Sequence, residues 1–190
     1  NEEEKDLVPI LNAYWKDLFD VGPYFRADKK KRLRKIIENG IEREIRSSMP
    51  LYTLEMSSRT IAVNLQFLKD KKVPQIIFES PKEVVSSFLR WLFEADGCTF
   101  STGRGKTSIQ LKSRQHILLQ EVQLLLLYYG IQARIIEDNL VIRRSRDILI
   151  FVKEIGFASS KKKEKLGKTV IEVKQKSDQQ KRKNIARYEK

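Results

Sequence analysis

Phe88-Leu89-Arg90-Trp91-Leu92-Phe93-Glu94-Ala95-Asp96-Gly97 reads as a short apolar helix that stops at carboxylates and a glycine. Its start is written just upstream. Ser80 is placed to cap, Pro81 suits the first helical position because its missing N–H would be unpaired there anyway, and Glu83 completes a capping box. Val84, Val85, Phe88, Leu89, Leu92 and Phe93 recur at three- and four-residue spacing, one apolar stripe that has to be buried. Ala95 and Gly97 are small enough for close backbone approach where the helix ends. Asp96 between them faces the negative end of the helix dipole, unfavourable by roughly 0.3–1 kcal/mol unless a metal ion or hydrogen-bond partner offsets it.

Beyond Gly97 the periodicity changes to two. Thr99–Ser101 and Thr107–Ser113 flank Gly103-Arg104-Gly105 and predict a β-hairpin, with Ile109 and Leu111 on one side and Ser108, Gln110 and Lys112 on the other. Ser113 is expected to cap a helix running to Tyr129 and ended by Gly130, its buried face Leu118, Leu119, Val122, Leu125 and Leu126. His116, near its start, reads as a surface or core-edge residue. Gln132–Glu137 and Leu140–Arg144 about Asp138-Asn139 predict a second hairpin, and Ser145-Arg146-Asp147 starts a third helix carrying Ile148, Ile150, Phe151 and Ile155. The fold class is α+β.

Upstream, an amphipathic stretch runs from Asp6 to Phe19 and breaks at Gly22-Pro23. Asp28 to Arg46 predicts a strongly charged helix with Leu33, Ile36, Ile37 and Ile41 on one face, and Leu51 to Lys69 a second one, giving a mainly helical N-terminal region. The expected domains are 1–70, 71–168 and a basic tail, 169–190. Lys174 to Lys190 is polar enough for a frayed helix or disorder.

Thirty-eight Lys and Arg against twenty-five Asp and Glu leave a net charge of +13, with a pI near 9.8. That is the footprint of a protein that meets a polyanion, although part of the excess lies in Lys161–Lys165 and after Lys174. No run approaches the ~18 apolar residues of a membrane span, and the acidic N-terminus does not read as a signal, so a cytoplasmic, nucleoid-associated protein is expected. A single cysteine excludes an intrachain disulfide, and a single histidine excludes a histidine-cluster metal site. Any metal chemistry then falls to carboxylates and to hard ions such as Mg²⁺.

The Phe88–Gly97 stretch resembles the motif of the LAGLIDADG homing endonucleases, specifically the intein-encoded branch, close to F-L-R-G-L-F-D-A-D-G. It departs from that pattern at Trp91, usually a small residue, and at Glu94, usually Asp. Lys71-Lys72-Val73-Pro74 is similar to the family's K-x-I-P block, and Ile155-Gly156-Phe157 with Lys162 to Leu166 to its closing helix. Leu18-Phe19-Asp20-Val21-Gly22 is a faint echo of the motif and is not taken as a second copy.

The resemblance implies one αββαββα unit, its antiparallel sheet covered by helices on one face and open and basic on the other. Thr99, Ser101, Arg104, Lys106, Ser108, Gln110, Lys112, Gln132 and Arg134, with Arg143 and Arg144 near the strand end, are the expected DNA-facing set. An ordinary solvated sheet face would mix acids among these bases. Asp96 is the expected catalytic and metal-binding carboxylate, joined by Gly97 at the Mg²⁺ (or Mn²⁺) site, and Lys162 the expected basic residue of the active centre. A plain basic surface run is the equal alternative for Lys161–Lys165. Phe88, Leu89, Leu92 and Ala95 are expected along the motif helix where it meets a partner.

One motif supplies one carboxylate, so a homodimer or a segment outside this chain would supply the second. The reading is a site-specific, divalent-metal-dependent endonuclease acting on double-stranded DNA across the minor groove. The alternative is a LAGLIDADG DNA-binding protein or RNA maturase with little or no cleavage. Protein splicing is not expected, since Asn1 is no splicing nucleophile and no His-Asn pair ends the chain. Residues 1–70 are read as an extra DNA-contacting module, a dimerisation piece or the remnant of a first unit.

Overall fold

The computed structural model describes residues 5–28, 32–38, 41–47, 51–102, 106–171 and 174. The expected turn at Arg104 and all of the tail after Lys174 lie outside the described residues. The chain divides into two compact units, residues 1–62 and 63–190, a little ahead of the boundary expected at residue 70.

The first unit opens with helix α1, Leu7–Phe19, which ends with Asp20 in the left-handed conformation. The segment expected to be a charged helix is instead a ladder of strands: β1 (Tyr24–Asp28), β2 (Arg32–Glu38), β3 (Ile41–Ser47) and β4 (Leu51–Glu55). β1 pairs antiparallel with β4, Tyr24 opposite Glu55 through Asp28 opposite Leu51. β2 pairs with β3, Arg32 opposite Ser47 through Glu38 opposite Ile41. The overturned signal is local. Asn39-Gly40 stands between β2 and β3, the dipeptide most favoured in two-residue hairpins, and the isoleucines around it prefer extended backbone. Only part of the helix expected over Leu51–Lys69 forms, as α2 (Arg59–Asn64) and a 3-10 turn at Gln66–Asp70.

The second unit follows the expected order. After the short α3 (Gln75–Phe78) come α4 (Lys82–Asp96), β5 (Gly97–Thr102), β6 (Lys106–Lys112), α5 (His116–Tyr128), β7 (Arg134–Ile136), β8 (Asn139–Ile142) and α6 (Ser145–Glu154). A last helix, α7, covers residues 160–171. The four strands make one antiparallel sheet in the order β5-β6-β8-β7. Its core joins Val85, Leu89 and Phe93 of α4 to Ile109, Leu111, Leu140 and Ile142 of the sheet. Leu119, Val122 and Leu126 of α5 complete it with Ile148 and Phe151 of α6. Phe93 and Phe151 meet edge to face with centroids 4.8 Å apart.

Helix ends refine the sequence reading. The capping box at the start of α4 does not form: Pro81 is the N-cap, and the Ser80 hydroxyl donates backwards to the Ile76 carbonyl at 2.6 Å. Ser113 lies ahead of α5, its hydroxyl accepting from the Gln115 amide. Gly130, with φ of 73°, ends α5, its amide and that of Ile131 closing on the Leu127 and Leu126 carbonyls. The Val73 side chain is buried and its amide donates to Glu121 of α5 at 2.6 Å, which ties the Lys71–Pro74 block to the core.

Candidate nuclease centre and nucleic-acid interface

No loop separates α4 from β5. The helix ends at Asp96, and Gly97 is already extended, with φ −96° and ψ 156°. A Cβ on Gly97 would lie 2.5 Å from the Phe93 carbonyl oxygen, so the close approach required of this glycine is to its own helix. Asp96 is thereby held on the last helical position with its carboxylate at the exposed surface.

The last carbonyls of α4 are met by Lys162, in the first turn of α7. Its ammonium donates to the Glu94 carbonyl, to the Gly97 carbonyl at 3.0 Å and, at 3.5 Å, to that of Phe93. The same ammonium lies over the Phe157 ring, 5.5 Å from its centre. Of the three adjacent lysines Lys162 is the half-buried one, and it reaches the motif helix. A cation at this end offsets the dipole that disfavours Asp96.

Glu94 returns the arrangement. Its buried carboxylate accepts from the Ala158 amide at 2.8 Å, the Ser159 amide at 3.1 Å and the Ser159 hydroxyl at 2.7 Å, at the start of α7. Each helix thus lends the other the charge its terminus favours, an anion for the N-terminus of α7 and a cation for the C-terminus of α4. Glu94 is occupied in joining the two helices.

Among the described residues no group of three or more His, Cys, Asp or Glu could hold a metal. The donors at the centre are the exposed Asp96 carboxylate and the Gly97 carbonyl, the latter already engaged by Lys162. Such a sparse, all-oxygen set fits an ion of the Mg²⁺ kind, which keeps several waters and takes further oxygens from a phosphate substrate.

On the motif helix, Leu89 is fully buried in the core of its own unit, and Phe88 and Leu92 pack at the core's edge. Leu89 is therefore not available to a partner. Ala95, Ser87 and Val84 are exposed.

The sheet's pleat sorts the expected DNA-facing set. Thr99 pairs with Ile109 and is buried on the helix-covered face, so it does not reach the open one. Ser101 pairs with Thr107 on that same covered face, at the strand's exposed end. Their strand neighbours Cys98 and Phe100 alternate onto the open face and are exposed. The phase of β5 against β6 differs from the expected one because Gly97, which carries no apolar signal, opens the strand opposite Leu111.

Lys106, Ser108, Gln110 and Lys112 share the open face by register, with Arg134 opposite Val141. Lys112 and Arg134 are exposed, whereas Ser108 is buried, its hydroxyl accepting from the Gln110 side-chain Nε2 at 3.0 Å. β8 ends at Ile142, so Arg143 and Arg144 both escape alternation. They line an open groove of about 340 Å³ with Gln132 and Arg134, floored by Val141 and Leu127. Arg144 donates to the Gln132 side chain across it. The described strand residues of the sheet include no acid.

Residues 83–156, α4 through the end of α6, match the family model of the LAGLIDADG-like domain. This stretch is a LAGLIDADG-like domain. The chain is 35% identical over 108 residues to a probable translation initiation factor IF-2 of Thermococcus kodakarensis, a match covering 55% of this chain and 9% of the relative. It is 37% identical over 79 residues to the ribonucleoside-diphosphate reductase NrdEB subunit alpha of Bacillus subtilis, 41% of this chain and 7% of that protein. A DNA polymerase of a Thermococcus species is 30% identical over 162 residues, 76% of this chain and 10% of the polymerase. The chain thus spans a small part of the curated relatives it matches. No solved structure matches significantly. Among the described residues no helix is long and apolar enough to cross a membrane.

Proposed function

We propose that this chain is a site-specific endonuclease that binds duplex DNA on the open face of its sheet and hydrolyses the backbone at Asp96. The observation that carries the reading is the exposed Asp96 carboxylate on the last position of α4, with the Lys162 ammonium fixed on the carbonyls beside it. The acid-free strands and the arginine-lined groove support the DNA-binding half of the reading. The matches also support an inserted element: similarity to this chain is found within an initiation factor, a reductase subunit and a polymerase, over a tenth or less of each.

In this reading Asp96 would hold a divalent ion, which when bound would activate water and stabilise the leaving oxygen. The donors of Lys162 are turned to helix carbonyls, so it acts through its charge, favouring the negative charge that develops on the phosphate. Gln132, Arg134, Arg143 and Arg144 orient the duplex and read base edges from their groove. A homodimer would set two Asp96 carboxylates at the two strands, across the minor groove. Trp91, half-buried on α4 where the family pattern has a small residue, favours a second reading in which DNA is bound and not cut.

The test is incubation with Mg²⁺ and a plasmid library carrying randomised inserts, followed by sequencing of linearised products. Enrichment of one near-palindromic site is expected, with Asp96→Asn abolishing products and keeping duplex affinity within about twofold. An uncut library bound tightly by the native chain would favour the second reading. Loss of binding and cleavage together in Asp96→Asn would contradict the role given to Asp96.

A further inference from the structure

We propose that the β2–β3 ribbon of the first unit is a second DNA contact, entering the major groove with the face that carries Arg32, Arg34 and Arg43. This rests on the DNA reading above but concerns a unit outside the LAGLIDADG-like domain.

The register makes the argument. Residues opposite one another in an antiparallel pair share a face, and neighbours along a strand alternate. One face of β2–β3 therefore takes Arg32 with Ser47, Arg34 with Ile45, Ile36 with Arg43 and Glu38 with Ile41. The other takes Leu33 with Arg46, Lys35 with Glu44 and Ile37 with Glu42. The first face holds three arginines and a single acid, placed in the last pair. The second holds two cations against two acids and is neutral by count. By count, the excess of cations in this ladder is thus made of arginines placed on one face, the residue whose planar fork suits guanine edges and phosphate.

Shape agrees with charge. In both ladders the partners' residue numbers have the same total, so the β2–β3 pairing carries on the register of β1–β4. A seven-residue strand is about 23 Å long at ~3.3 Å per residue, and two strands lie about 5 Å apart, narrower than the ~12 Å major groove. Among the described strands each ladder of this unit is two-stranded. An isolated two-stranded ribbon is marginal in water and gains from a partner surface. At β1–β4 the Phe25 and Tyr52 rings stack at 5.7 Å, with Lys5 over Tyr52 at 5.7 Å, so that ladder has a side-chain anchor of its own.

The experiment titrates the full chain against a labelled 40-base-pair duplex of mixed sequence at several salt concentrations. R32A/R34A/R43A is expected to bind at least about tenfold more weakly and to flatten the slope of log affinity against log salt by about two to three. R32K/R34K/R43K should recover the slope, and K35A/R46A, on the neutral face, should leave it unchanged. Failure of the lysine variant to recover it would mark the alanine effect as one of folding and overturn the proposal. So would an equal loss in K35A/R46A, or native binding by the alanine variant. If the native chain shows no salt-dependent duplex binding, the DNA reading falls and takes this proposal with it. If it binds and the alanine variant binds equally well, the ribbon alone is removed.

Discussion

Glu94 and Lys162 stand 68 positions apart, and each is set unfavourably for its own helix: an anion in the last turn of α4, a cation in the first turn of α7. The pairing removes both conflicts. Glu94→Ala would strand the Ala158 and Ser159 amides and leave the Lys162 ammonium without its nearest anion. A loss of about 3–5 kcal/mol in denaturant unfolding is expected. Glu94→Gln, which keeps an acceptor without the charge, should lose about half as much; an equal loss would mean that shape and not charge holds the helices together. Asp96 was legible because a carboxylate at a helix C-terminus is locally out of place. The role of Glu94 was not, since its partners lie 64 and 65 positions away. Lys162 fell between these cases: the sequence offered three adjacent lysines, and the turn of α7 chooses one.

At the scale of elements, the junction between α4 and β5 fixes both the position of the Asp96 carboxylate and the phase of the sheet. Gly97→Ala would bring a Cβ to 2.5 Å from the Phe93 carbonyl oxygen and 2.9 Å from the Phe93 Cα, backbone atoms that cannot turn aside. A loss of at least ~2 kcal/mol is expected, with a shift of Asp96 that removes cleavage even in molecules that remain folded. Comparing residual activity with the folded fraction by circular dichroism tests both parts.

A second junction, where α5 meets the start of α4, predicts a pH effect. The Tyr129 hydroxyl donates to the Lys82 carbonyl at 2.5 Å, and its pKa is pushed up to about 12, first by burial and then by the charge of Tyr128, Glu154 and Glu83. A group whose pKa is raised on folding lends stability that is full below its ordinary value near 10 and is lost as pH climbs toward 12. Melting temperature should therefore fall between those values more steeply in the native chain than in Tyr129→Phe; parallel curves would remove Tyr129 as the cause. The second unit's elements were legible because long apolar stripes separate helix from strand. In the first unit, Leu33, Ile36 and Ile37 fit either period, and the deciding signal, Asn39-Gly40, is two residues long.

For the whole molecule, the unresolved chemistry is one of number. A duplex cut takes two hydrolyses, and the LAGLIDADG-like domain brings one Asp96. Nothing in the periodicity of one chain encodes its copy number, but α4 leaves a narrow strip outside the core. Val84 is 45% exposed, and Ser87 and Ala95 are exposed on the same helix. Two such strips crossing would bury small side chains and bring two helix ends together, with Trp91 turned aside. The prediction is that sedimentation equilibrium gives the mass of one duplex plus two 22.3 kDa chains when duplex DNA is present. Val84→Glu, which puts a like charge on both sides of the two-fold contact, should leave one chain per duplex and convert double-strand cuts into nicks. The native core should survive, because Val84 is not part of it. A native chain that stays monomeric on DNA would leave one carboxylate per complex, and with it a nick or a bound, uncut duplex as the most this chain delivers alone.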